Sequence, residues 1–185
     1  MIRNEIAFTL KDGRTALIRS PKDEDIRGML EYLYISAGET DFILRYPEEC
    51  TKYTEEGEKA LFDRVNSADN EAMLVCIVDR KVAGNCQIAW SKGIKTRHRA
   101  SVAIALLKEF WNQGIGTKMF EVMIGIAESN PYVTQMELQF VEGNYRARAL
   151  YEKMGFRIAG IHPNGIRLKD GTFRNEYLMI REINR

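Results

Sequence analysis

The sequence predicts an α/β fold in which one mixed, mostly antiparallel sheet is flanked by helices. Three observations carry that expectation. Strand and helix patterns alternate in the middle of the chain but not towards its ends, so the strands cannot all be parallel. No linker rich in Pro, Gly and Ser and no internal repeat divides the 185 residues, which points to a single domain over 1–185. A turn marked by two glycines separates a strand of small residues from a helix with an apolar stripe.

Taken in order, "RTALIRSP" alternates Ala16 and Ile18 with polar neighbours and stops at Pro21, the pattern of a strand. "KDEDIRGMLEYLYISA" has acids in its first turn and Ile26, Met29, Leu30, Leu33 and Tyr34 at helical spacing. "GETDFILRYPEECTKY" reads as a loop, and "TEEGEKALFDRVNS" as a helix with Ala60, Leu61 and Val65 on its apolar side. "EAMLVCIVD" and "KVAGNCQIAW" are β-rich and are separated by a short polar turn at 79–81, which makes a hairpin. "ASVAIALL" is nearly all small or apolar, as expected of a central strand covered on both faces. After the glycine turn, Met119, Val122, Met123 and Ile126 form one helical stripe. A strand "YVTQMELQFV" and a helix "NYRARALYEKM" follow, and "GFRIAGIHPNG" and "TFRNEYLMIREI" close the chain as an antiparallel pair.

Composition narrows the function. Lys plus Arg number 27 against 26 Asp plus Glu, a balance of +1, so no bulk electrostatic attraction to nucleic acid or to an anionic membrane is expected. The 3 cysteines, Cys50, Cys76 and Cys86, lack metal-ligand spacing and read as reduced thiols, and no metal is expected. The N-terminal "MIRNEIAFTL" has no apolar leader pattern and no run is long enough for a membrane span, so the cytoplasm is the expected location.

The chemistry sits in "FWNQGIGTK", residues 110–118. A strand, a glycine turn and a helix in that order expose backbone N–H groups at the positive helix end, where phosphate oxygens can be received. Gly114 and Gly116 let a ligand approach the backbone, with Gln113, Ile115 and Thr117 adding donors; a tight turn with no ligand explains the glycines equally well at this point. Two familiar phosphate motifs are excluded by spacing. Lys118 follows Thr117 rather than a glycine, and residue 119 is methionine where a third glycine would be needed.

"LLKEFWNQGIGTKMFEVMI" resembles the acyl-CoA-binding motif of the GCN5-related N-acetyltransferases (GNAT), written Gln/Arg-x-x-Gly-x-Gly/Ala, and "NYRARALYEKMGF" resembles the family's second signature. Trp111 stands at the usual Gln/Arg position, a departure that leaves a cradle of backbone N–H groups intact. The resemblance implies the splayed GNAT sheet and acetyl-CoA as co-substrate. It also implies direct attack of a primary amine on the thioester. Asn144, Ala147 and Tyr151 share one helix face; the resemblance implies that Asn144 meets the pantetheine amides, that Ala147 leaves room, and that Tyr151 is the general acid for the departing thiol. Taken singly, Asn144 reads more simply as a helix N-cap and Tyr151 as a half-buried aromatic; taken jointly with the glycine turn, they favour the ligand reading. A backbone N–H at Leu106 or Leu107 is expected to stabilise the charge that develops on the carbonyl oxygen.

Related enzymes often carry a carboxylate on the central strand, where this chain has Ser101. Glu137 on the next strand is the candidate base, acting through water, and His98 reads as solvated. Glu39, Asp41, Glu48 and Glu49 stand where the resemblance places the acceptor wall and could hold a cationic amine, although a solvated acidic loop is the simpler reading for most of them. The last strands resemble the bacterial subgroup of ribosomal-protein and polyamine acetyltransferases. The partner is therefore a small-molecule or peptide amine, with no nucleic acid or membrane; a homodimer is the assembly left open. A non-catalytic acyl-CoA sensor is the alternative, and the phenol of Tyr151 argues against it.

Overall fold

The computed structural model describes residue 1 and residues 4–183. The chain forms two compact units, residues 1–89 with 104–119 and residues 90–103 with 120–185. Eight strands follow the order β1-β2-β3-β4-β5-β6-β8-β7 in one sheet, and strand β5 (Arg99–Leu106) and helix α3 (Ile115–Ser129) each run from one unit into the other.

In the first unit β1 (Ile6–Thr9), β2 (Thr15–Arg19), β3 (Glu71–Val78) and β4 (Lys81–Trp90) pair antiparallel in succession. β1 is a strand that the sequence did not suggest. The β3–β4 hairpin turns through Asp79 and Arg80, both left-handed at φ 48° and 65°; two such residues match the twist of the flanking strands. Helix α1 (Ile26–Glu39) buries Ile26, Met29, Tyr32, Ser36 and Ala37, whereas Tyr34, expected on the apolar face, is 59% exposed. Helix α2 (Glu55–Ser67) is capped by Thr54, whose hydroxyl accepts from the Gly57 N–H at 3.0 Å. Its inward face is Glu58, Phe62 and Val65, with Ala60 outside.

The entry to α1 is held by a buried ion pair. Arg19 Nη1 donates to Asp25 Oδ2 at 2.6 Å and Nη2 donates to Asp25 Oδ1 at 2.9 Å. Asp25 Oδ2 also accepts from the Lys22 N–H at 2.8 Å. Removing Asp25 leaves the buried Arg19 only the exposed Glu24 and Glu5 as counter-charges, so Asp25→Ala should lower unfolding stability by about 3 kcal/mol, the low end for a broken buried pair, read from urea unfolding. A loss below about 1 kcal/mol would show that water replaces the carboxylate.

In the second unit β5 pairs parallel with β6 (Gln135–Val141) over Arg99↔Gln135 to Ser101↔Glu137. β8 (Phe173–Glu182) lies antiparallel to β6, and β7 (Arg157–Arg167) antiparallel to β8. Helix α4 (Tyr145–Lys153) precedes β7. The sheet is mixed, as the sequence implied, because β1–β2, β2–β3, β3–β4, β6–β8 and β7–β8 pair antiparallel. Coverage of β5 differs from expectation: Ala100 and Val102 are buried while Ser101 and Ala103 are exposed, so only one face of this stretch packs against a core. On α3, Met119, Met123 and Ile126 are buried, and Val122 lies at the edge of the stripe.

Candidate active site

The glycine turn forms where β5 ends. A 3-10 turn (Lys108–Phe110) leads into Asn112 at φ 63° and Gly114 at φ 94°, and α3 starts at Ile115. Phe110 and Ile115, each 1% exposed, anchor the loop on both sides. Between them Gly114 is exposed, and a Cβ built on it would meet nothing within 4 Å. The space in front of this backbone is therefore open, as a phosphate cradle requires. The first helical bond runs from the Lys118 N–H to Gly114 O at 3.0 Å, so the amides of Ile115 and Gly116 belong to the first turn, ahead of the helical ladder. Gln113 Oε1 accepts from the Asp12 N–H at 3.2 Å and ties the loop to the β1–β2 turn.

The end of β5 is pressed against β4 at a glycine. A Cβ on Gly84 would lie 2.3 Å from Leu106 Cδ2 and 2.5 Å from Ala105 O. The register of β3 and β4 shifts beside this point, with Ile77 opposite Val82 and Cys76 opposite Gly84, so Ala83 bulges. Ala83 O accepts from the Leu107 N–H at 2.9 Å. That bond corrects the pair of donors expected from the sequence: the Leu107 amide is committed to the sheet, and Leu106 is left as the candidate. Trp111 also has a local task, since its Nε1–H donates to Leu106 O at 2.9 Å.

Two acids expected on the acceptor wall hold backbone instead. Glu39 Oε2 accepts from the Lys108 N–H at 2.8 Å and Glu49 Oε2 from the Tyr46 N–H at 2.8 Å. Asp41 is exposed. Glu58, absent from the sequence-based candidates, is 4% exposed, and its Oε2 has no hydrogen-bond partner among the described residues. Burial pushes its carboxyl above the usual range, and Arg45 opposes that shift.

In the second unit Tyr151 is 7% exposed and its ring is boxed by Phe120, Phe140 and Phe156 at centroid distances of 5.5, 6.0 and 6.4 Å. Burial pushes the phenol up to about 12, which keeps it protonated through the neutral range. Asn144 is the N-cap of α4: Oδ1 accepts from the Ala147 N–H at 3.2 Å, which leaves the carboxamide Nδ2 as the donor for a ligand. Glu137 Oε2 lies 3.5 Å from Arg99 Nη1, a partner that the sequence did not suggest. His98 is exposed.

Two of the three thiols are kept from chemistry by burial. Cys76 and Cys86 are buried and free, and burial pushes Cys76 up to about 12 and Cys86 higher still. Among the described residues no group of three or more His, Cys, Asp and Glu could hold a metal ion, and no helix is long and apolar enough to cross a membrane.

Known proteins resemble this chain along most of its length. A family model described as an acetyltransferase (GNAT) domain matches residues 16–157. A curated N-alpha-acetyltransferase from Saccharolobus solfataricus is 30% identical over 124 residues, 60% of this chain and 70% of that protein. The crystal structure of a GNAT-family acetyltransferase from Streptococcus pneumoniae superposes with a TM-score of 0.84 at 28% identity, covering 91% of this chain and 99% of the other. A phosphinothricin acetyltransferase of the GNAT superfamily from Sinorhizobium meliloti, solved in complex with AcCoA, shares the fold with a TM-score of 0.77 at 18% identity, over 91% of this chain and 89% of that one.

Proposed function

Because the chain belongs to the acetyltransferase (GNAT) domain family, we propose that it transfers the acetyl group of acetyl-CoA to a primary amine, and that this amine is the α-amino group of a polypeptide. The observation that carries the donor half is the open turn at Gly114 leading straight into the first turn of α3. The residues fit acetyl-CoA: the amides of Gly114, Ile115, Gly116 and Thr117, with Gln113, receive its pyrophosphate, and Asn144 Nδ2 meets the pantetheine while Ala147 leaves it room. When bound, acetyl-CoA supplies an acetyl group activated as a thioester. The Leu106 N–H donates to the carbonyl oxygen as charge develops there. Tyr151 Oη holds a proton at neutral pH and donates a hydrogen bond towards the departing sulfur.

The acceptor half rests on proton chemistry. A lysine or polyamine ammonium with a reference pKa of about 10.4 needs a base far more than an α-amino group of about 8. Ser101 offers no base, and the carboxylate of Glu137 is shared with Arg99, so Glu137 acts through water as a weak one. An acceptor that is already partly neutral suits such a site, and the name of the S. solfataricus relative supports the same choice. The thiols Cys76 and Cys86, free and buried, suit the reducing cytoplasm. At pH 7 the kcat/KM for a peptide with a free N-terminus should exceed that for spermidine or for an N-terminally blocked lysine peptide by about tenfold or more, and the gap should narrow at pH 9 as the stronger bases lose protons. A polyamine preferred at both pH values would move the acceptor to that class.

A further inference from the structure

Tyr32 lies on α1 and is 1% exposed. A phenylalanine would fill the same space, whereas a phenol buried so deeply is costly unless its hydroxyl is bonded. The hydroxyl lies 2.9 Å from Asn85 Oδ1 and 3.0 Å from Ala105 O. With the Asn85 carboxamide turned so that Nδ2 donates to the phenol oxygen, the single phenolic proton goes to Ala105 O. Burial also raises the phenol well above its ordinary range, so this proton is retained at any working pH.

A trans peptide ties the Ala105 carbonyl to the Leu106 amide in one plane, pointing in opposite directions. The bond that fixes Ala105 O therefore fixes the direction of the Leu106 N–H. The next two planes are held at both ends. Leu106 O accepts from Trp111 Nε1 at 2.9 Å while the Leu107 N–H donates to Ala83 O at 2.9 Å. Leu107 O accepts from the Phe110 N–H at 3.0 Å while the Lys108 N–H donates to Glu39 at 2.8 Å. In the first plane, among the described residues, the side chain of Tyr32 tethers the carbonyl end. By alternation along the strand the Leu106 N–H faces the edge away from Ala83, and the pairing of that edge of β5 runs no further than Ser101.

We infer that Tyr32 is a positioning residue for acyl transfer: its hydroxyl, seated on Asn85, sets the peptide plane whose N–H polarises the thioester carbonyl. The inference rests on the reading of Leu106 as the donor in an acetyl-CoA-dependent transfer. It assigns to the buried face of α1 an indirect hold on the reacting carbonyl, through the Leu106 peptide plane, with Trp111 and Glu39 bracing the two planes that follow.

Tyr32→Phe keeps the ring and removes the tether. Bound acetyl-CoA carrying a 13C carbonyl should show in wild-type protein, by isotope-edited infrared spectroscopy, a stretch lowered from its value in solution. In Tyr32→Phe the stretch should move back towards the solution value. The kcat should fall about tenfold, less than the loss expected on deleting such a donor, with the KM for acetyl-CoA within about twofold and the same loss for every amine. A purely structural role would lower thermal stability without moving the carbonyl band. A folded Tyr32→Phe with the wild-type band and wild-type kcat overturns the inference. Should Tyr32→Phe fail to fold, Asn85→Ala leaves the phenol but removes its seat; a band shifted partway supports the inference and an unchanged band overturns it. Wild-type protein that binds acetyl-CoA without any shift removes the Leu106 reading itself, and one that binds none removes the acetyltransferase reading; both are distinct from a failure confined to Tyr32.

Discussion

Tyr151→Phe is expected to lower kcat by roughly 10²-fold while acetyl-CoA affinity stays within a few-fold. The ring keeps its edge contacts with Phe120 and Phe140, and only the hydroxyl is lost. The phenol has no hydrogen-bond partner among the described residues, so its removal leaves no protein group unsatisfied. Burial pushes it up to about 12, which makes it a weaker acid than a thiol near 8.5. Its contribution is accordingly hydrogen-bond donation to the sulfur as charge develops, and the expected effect sits at the low end for a positioned acid. Two consequences follow from the sign of the shift. The rate should rise with pH as the acceptor amine loses its proton, with no descending limb from Tyr151 below about pH 11. The defect should also shrink for an acyl donor whose leaving thiol has a lower pKa. Stopped-flow kinetics from pH 6 to pH 10 test both, and wild-type kcat across that range would show that the thiolate leaves unassisted.

Gly114→Val should weaken acetyl-CoA binding by about 10- to 100-fold, the worth of one or two hydrogen bonds to a charged phosphate. The protein tolerates the added bulk, because nothing lies within 4 Å of a Cβ at this position. It does not tolerate the backbone conformation without cost, because φ is +94° and a side chain there is strained by about 1–2 kcal/mol. That strain should appear as a fall of several degrees in Tm. Gly171 provides the control: its φ is +87° and its Cβ position is also open, so Gly171→Val carries similar strain in the β7–β8 turn. Isothermal titration should separate the two variants, with normal affinity in Gly171→Val. Equal affinities would mean that the turn at Gly114 holds no phosphate.

The glycine turn into α3 was legible in the sequence because glycines and a strand-to-helix change are local signals. The β3–β4 hairpin was legible for the same reason. What was not legible depended on long-range packing. Tyr34 and Tyr32 are both aromatic residues on one helix, and only the tertiary fold decides that Tyr32 turns inward to Asn85 and Ala105. Glu39 looked like a ligand for a cationic amine, yet it meets the amide of Lys108, a residue 69 positions away. Leu107 could not be told from Leu106 as a donor until the bulge at Ala83 gave Leu107 an acceptor. Asn144 takes the N-cap place that its sequence offered, with its oxygen capping α4. The apolar run "ASVAIALL" suggested burial on both faces, but small residues such as Ser101 and Ala103 are equally suited to an exposed face.

Transfer of an acetyl group from acetyl-CoA to an α-amino group, as proposed, can be followed by competition between acceptors. The most direct test mixes the protein at pH 7 with acetyl-CoA labelled in the acetyl carbons and an equimolar set of a lysine-free peptide with a free N-terminus, an N-terminally blocked peptide containing lysine, and spermidine. Mass spectrometry then follows where the label goes while free CoA is counted. The label should appear first on the free N-terminus, mole for mole with the CoA released. Label arriving first on spermidine or lysine would contradict the choice of acceptor, and CoA released with the label found only in acetate would contradict amine acetylation altogether.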